Sequence, residues 1–256
     1  MPKHLTYFVS DIHLGSPAGD PVQRERRFVK FLKGIDPART SALYLLGDIF
    51  DFWYEYRFVV PKGYVRVLGA ITDLIDAGVK VYFFEGNHDI WTFRYFEELG
   101  MIKLHQPYVA RIGNKSFCLG HGDGLGPGNH WYKFLKGLFS QHWAQALFST
   151  LHPWIAFKWA TGWSQRSRNE KPIAYVFKGE GEPLYTFCRE FQSRTPVDYF
   201  IFGHYHSRVD MPVGNARLHI LGDWMTAPNW LVYDAGAYNL ISVMDTAGGS
   251  SQKTDQ

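Results

Sequence analysis

The chain has 256 residues, 20% of them charged and 46% hydrophobic, which excludes wholesale disorder and allows a full-sized core. A net charge of +3 is too mild to argue for a nucleic-acid partner. Cys118 and Cys188, the two cysteines, make no disulfide framework and fit a reducing compartment.

The first 125 residues or so alternate strand and helix patterns. Leu5 to Ser10 reads as a buried strand. Val22 to Ile35 has helical spacing at Phe28, Phe31 and Leu32, and Ala42 to Leu46 is a second strand. Tyr64 to Ala77 is helical, with Gly78 as its stop, and Val79 to Phe84 is a third strand. This is the βαβαβ pattern of an α/β sheet. Further on, Tyr108 to Ile112 and Ser116 to Leu119 read as strands. So do Asp198 to Phe202, Val209 to Val213, Arg217 to Leu221, Asn229 to Tyr233 and Ala237 to Val243. Turn residues between them predict a second, mostly antiparallel sheet. The tail Thr246 to Gln256 is expected to fray.

Between the two halves, residues 127–185 give no strand signal and read as two or three helices broken near Pro153 and Pro172. Aromatic residues reach 17% of the chain, and five of its nine Trp fall here: Trp131, Trp143, Trp154, Trp159 and Trp163. Seven Lys or Arg against three Glu give the stretch a charge of +4. Two readings stay open: a surface that meets lipid or anionic ligand, or a helical subdomain whose Trp residues form its core. Gln145, Ser149, His152, Pro153 and Lys158 interrupt the most apolar part, so no bilayer span is expected. Leu5 to Val9 is too short for a secretory signal, and a cytosolic placement is expected.

Five short motifs carry the chemistry: Asp11-Ile-His13, Gly47-Asp48, Gly86-Asn87-His88-Asp89, Gly120-His121 and Gly203-His204-Tyr205-His206. Each closes a predicted strand, where ligands gather in α/β sheets. Alone, each is weak: a Gly-Asp is usually a turn, and a buried His is usually a satisfied polar group. As an ordered set they supply O and N donors enough for two cations if one carboxylate bridges.

In this order the motifs resemble the calcineurin-like metallophosphoesterases. The resemblance implies an α/β fold, a four-layer αββα sandwich spanning residues 1–245 and interrupted by a lid at 127–185. It implies one metal on Asp11, His13, Asp48 and His206 and another on Asp48, Asn87, His121 and His204. Two divalent ions would be held, Mn first, with Fe, Zn or Co also suited to such donors. They would activate a water for in-line attack on phosphorus. His88 would protonate or stabilise the leaving oxygen, with Asp89 as partner of its imidazole and Asp51 behind the metal ligands.

SDIHLG, GDIFDFW, HGDGLG and the closing LGDW (Leu221 to Trp224) resemble, within that superfamily, the UDP-2,3-diacylglucosamine hydrolase family. Its members act in lipid A assembly on the cytosolic face of the bacterial inner membrane. They cleave the substrate's pyrophosphate to UMP and 2,3-diacylglucosamine 1-phosphate, with the acyl chains under the lid. The resemblance makes His88, Asn129, Arg168, Asn169, Lys171 and His204 the candidate substrate contacts. The chain departs where His88 replaces the family's Arg and Asn129 its Asp, and Ser164 and Ser167 are only local candidates for the lid's polar group. Asn129 also reads as a helix cap, and Arg166, Arg168 and Lys171 as a solvated helix face. A metallophosphatase or phosphodiesterase with a smaller substrate, and an inactive scaffold on the same fold, are the other function classes. Oligomeric state leaves no mark in the sequence.

Overall fold

The computed structural model describes residues 3–159, 162, 175–245 and 252–254. Chain order runs β1 (Leu5–Val9), α1 (Pro21–Gly34), β2 (Thr40–Leu45), α2 (Val65–Asp76), β3 (Lys80–Phe84), α3 (Tyr95–Glu98), β4 (Ile102–Leu104), β5 (Tyr108–Ile112) and β6 (Lys115–Leu119). The insertion contributes α4 (His130–Phe139) and α5 (His142–Ser149), and residues 153–159 are helical. Then come α6 (Pro183–Arg194), β7 (Tyr199–Phe202), β8 (Val209–Val213), β9 (Ala216–Ile220), β10 (Asn229–Asp234), β11 (Asn239–Met244) and β12 (Gln252–Thr254).

Local signals start the elements. Asp20 caps α1, its Oδ1 accepting the Gln23 N–H at 2.9 Å, and Pro21 occupies the first turn. Along each strand, period-two alternation sorts side chains between two layers. Val9, Leu43 and Leu45 share one core with Phe28 and Leu32 of α1 and Ile71 and Leu74 of α2. The alternate residues Phe8, Ala42 and Tyr44 share another with Phe117, Leu119 and Ile201. Cys118, Phe200 and Phe202 turn outward again, onto Leu184, Tyr185 and Cys188 of α6. The layers are therefore helix, sheet, sheet, helix, as expected. Each fully buried Phe contributes about 2–3 kcal/mol by leaving water.

The first sheet runs β12-β11-β10-β1-β2-β3-β4 and the second β5-β6-β7-β9-β8. Two sequence expectations fail here. β10 and β11 join the first sheet, with β10 antiparallel beside β1. The second sheet is not mostly antiparallel, since its centre, β6-β7-β9, is parallel. The chain between β6 and β7 carries the insertion and α6, and a crossover of that length returns the strand parallel. Apolar alternation marks a strand but not its neighbour.

α6 begins at Pro183 and buries Leu184 and Tyr185 against the second sheet. Gln252–Thr254 pairs with Ser242–Met244 through backbone groups, which every sequence carries. No helix among the described residues is long and apolar enough to cross a membrane.

Candidate metal centre

Asp11, Asp48, Asn87, His121 and His204 follow the carboxyl ends of β1, β2, β3, β6 and β7. Three of these parallel strands belong to one sheet and two to the other, so their ends meet where the sheets adjoin. Backbone bonds stitch the loops together: Gly203 N–H donates to the His121 carbonyl at 2.9 Å and His13 N–H to the Asp48 carbonyl at 3.0 Å. Eight non-glycine residues have positive φ among the described residues, and five of them are Asp11, His13, Asp48, His204 and His206. Side chains rarely adopt this conformation, and such strain concentrates at functional sites. The glycines of the motifs are required by space. A Cβ on Gly203 would overlap Ser10 and Asp11, and one on Gly86 would overlap Asp48.

One ligating atom from each of Asp11, His13, Asp48 and His206 lies within 4.8 Å of all the others. The Nε2 atoms of His13 and His206 face each other at 3.0 Å, and His206 Nε2 is 3.3 Å from Asp11 Oδ1. Two imidazole nitrogens so placed converge on one point, and a cation there satisfies both lone pairs. A second convergence adjoins the first. Asn87 Oδ1 lies 3.2 Å from His121 Nε2 and 2.8 Å from His204 Nδ1. Asp48 Oδ2 stands between the two, 3.7 Å from His13 Nε2 and 3.4 Å from His121 Nε2. Asp11, His13, Asp48 and His121 are buried, whereas Asn87, His204 and His206 form a half-buried mouth. This site of Asp, His and Asn donors fits a dimetal centre.

Electrostatics agree with the donor set. Burial raises the Asp48 carboxyl, but His121, His88 and His13 around it more than reverse this and hold it well below the ordinary range. Burial acts likewise on Asp11, and His206 and His121 bring it down. Burial pulls His13 down and takes His204 to about 4. It would lower His121 too, yet the facing Asp48 carries that imidazole up to about 10.

Asp51 stands where a supporting carboxylate was expected, 3.3 Å from His13 Nδ1 and 3.7 Å from His88 Nδ1. Asp89 does not partner the His88 imidazole. Its carboxylate accepts the backbone N–H groups of Asp48 (3.2 Å), Ile49 (2.8 Å), Phe50 (3.2 Å) and Gly86 (2.8 Å). The turn sends neighbouring side chains apart, and the His88 ring instead meets the Asp51 carbonyl at 3.0 Å through Nδ1. Asn129 has positive φ at the start of α4 but makes no capping bond with its side chain, which is exposed. Arg168, Asn169 and Lys171, with Ser164, Ser167 and Trp163, lie outside the described residues.

The reading of the insertion's Trp residues as core fails where they are described. Trp131, Trp143, Trp154 and Trp159 are 71%, 61%, 65% and 55% exposed. Phe side chains dock the insertion instead: Phe139 and Phe148 pack on Trp91, and Phe157 on Phe52. Sequence reasoning also missed Asp123, a buried carboxylate two residues beyond His121 that binds α4. A Tyr and a Lys at i and i+4 on that helix, Tyr132 and Lys136, were the available signal.

The fold, the strand-end donors and the shared Asp48 define a class. The chain belongs to the calcineurin-like phosphoesterase family, whose model matches residues 5–208. A UDP-2,3-diacylglucosamine hydrolase of Porphyromonas gingivalis is 39% identical to it, aligned over 93% of this chain and 97% of that one. Proteins of the same name are 27% identical in Histophilus somni (92% and 99% covered) and 29% in Actinobacillus succinogenes (86% and 92%). The chain is accordingly a hydrolase of the metallophosphoesterase kind.

Proposed function

We propose that this enzyme cleaves the pyrophosphate bond of UDP-2,3-diacylglucosamine, giving UMP and 2,3-diacylglucosamine 1-phosphate, in lipid A assembly. The convergence of Asp11, His13, Asp48, Asn87, His121, His204 and His206 on two adjoining points carries the chemistry. The substrate is supported by a relative of that name at 39% identity over nearly the whole of both chains.

Asp11, His13, Asp48 and His206 would hold one divalent cation, and Asp48, Asn87, His121 and His204 the other. Mn2+ is the first choice, and Fe, Zn or Co suits the same donors. Two cations held there would neutralise phosphoryl charge and make hydroxide available near neutral pH. His88 donates from Nδ1 to the Asp51 carbonyl, which fixes the tautomer and leaves Nε2 for the substrate. From there it protonates or stabilises the leaving oxygen. His204 at the mouth and Asn129 at the start of α4, with Arg168, Asn169 and Lys171 of the lid, would contact the sugar phosphate. The exposed Trp side chains suit a lid resting on the cytosolic face of the inner membrane, since Trp favours the lipid–water interface.

Purified protein with Mn2+ should release UMP from UDP-2,3-diacylglucosamine. No release, together with brisk hydrolysis of bis(p-nitrophenyl) phosphate, would overturn the substrate and leave the phosphoester chemistry standing.

A further inference from the structure

α4 is seated on the body in an unusual way. None of its residues is fully buried, and Trp131 and Phe134 point into solvent. At its end Phe139 packs edge-to-face on Trp91, and the Trp91 indole N–H donates to the Phe139 carbonyl at 3.0 Å. Upstream, the helix turns polar groups inward. Tyr132 and Lys136, one turn apart on the same face, both donate to Oδ2 of Asp123 at 2.5 Å. Lys133 Nζ adds a bond to the Gly126 carbonyl at 2.5 Å.

Asp123 is 2% exposed, so its charge is stabilised by these partners rather than by water. Its Oδ1 accepts from Gln106 Nε2 at 2.8 Å, and Gln106 Oε1 accepts the Gly122 N–H at 2.7 Å. The same loop carries His121. One buried carboxylate therefore joins the first lid helix, the β4–β5 connection and the loop of a metal donor. Charge-assisted bonds of this kind are about twice as strong as neutral ones.

We infer that Asp123 is a positioning residue that locks α4 to the His121 loop and so holds the lid in register with the metal centre for the acylated substrate. The inference rests on the proposed function for its substrate, but the clamp itself is a property of this chain. A small phosphodiester needs no lid and does not depend on the clamp. The acylated substrate does, because a lid free to swing loses its register with the metal centre.

The test uses the double variant Tyr132→Phe/Lys136→Met, which lies outside the metal centre, beside Asp123→Asn. For the double variant, KM for UDP-2,3-diacylglucosamine should rise about tenfold or more, as expected for losing two charge-assisted bonds. Its kcat/KM for bis(p-nitrophenyl) phosphate with Mn2+ should stay within about twofold. In both variants trypsin should cut between residues 127 and 185 faster than in the wild type. Equal loss on both substrates, or unchanged KM with unchanged proteolysis, would overturn the clamp. A wild-type protein inert on the acylated substrate would overturn the proposed function instead, and the proteolysis arm would still judge the clamp.

Discussion

Asp48 reaches both halves of the donor set with one oxygen, 3.7 Å from His13 Nε2 and 3.4 Å from His121 Nε2. Its other oxygen accepts the His88 N–H at 2.9 Å, so the same carboxylate also orients the residue proposed to act on the leaving group. Asp48→Asn keeps the shape but removes the charge that faces His121, His88 and His13 and that two cations would share. It should lower kcat by about a thousandfold or more and release both ions, read by metal analysis of the purified protein. Retention of two ions with near-normal activity would remove Asp48 from the shared position. The seven donors were legible in the sequence because each is a ligand type placed just past a strand end. Asp89 and Asp123 were not. Adjacency to His88 suggests an imidazole partner, whereas the turn aims Asp89 at backbone N–H groups. Asp123 gains its meaning only from a helix that lies beside it in space.

Among the elements, the loops that follow β2 and β3 depend on each other. Asp89, after β3, gathers three consecutive N–H groups from the β2 loop and one from its own, and these hold Asp48 in its left-handed conformation. An Asn at this position accepts through one oxygen and turns an NH2 toward donors. Asp89→Asn should therefore cost about 2–4 kcal/mol, seen as a lower midpoint in urea with an unchanged slope. A midpoint within error of the wild type would show that the loops hold their shape without the carboxylate. The strands themselves were legible because alternation at Phe8/Val9 or Phe117/Cys118 exposes a two-faced sheet. Their partners were not, because β10 has the same pattern whichever sheet receives it. Its pairing is decided by the connection through Gly222 to Asn229, where Trp224 N–H donates to the Asp11 carbonyl at 3.0 Å and draws the chain back to β1.

At the scale of the whole molecule, the concentration of Trp in one basic insertion is explained by which way the insertion faces. Helical spacing tells that a helix has an apolar side but not whether protein or something else covers it. Phe139, Phe148 and Phe157 of the insertion turn inward onto Trp91 and Phe52, and the four described Trp side chains turn out, with Lys158 5.0 Å from the Trp154 ring. Aromatic rings beside a cationic side chain match the headgroup region of an anionic bilayer. Changing Trp131, Trp143, Trp154 and Trp159 together to Ser should weaken binding to vesicles containing phosphatidylglycerol by at least about tenfold. That needs only about 1.4 kcal/mol from four exposed side chains. None of the four touches the metal centre, so turnover of bis(p-nitrophenyl) phosphate should stay at the wild-type rate. Vesicle binding that survives the four changes would separate the exposed Trp side chains from the membrane and move the contact elsewhere on the surface.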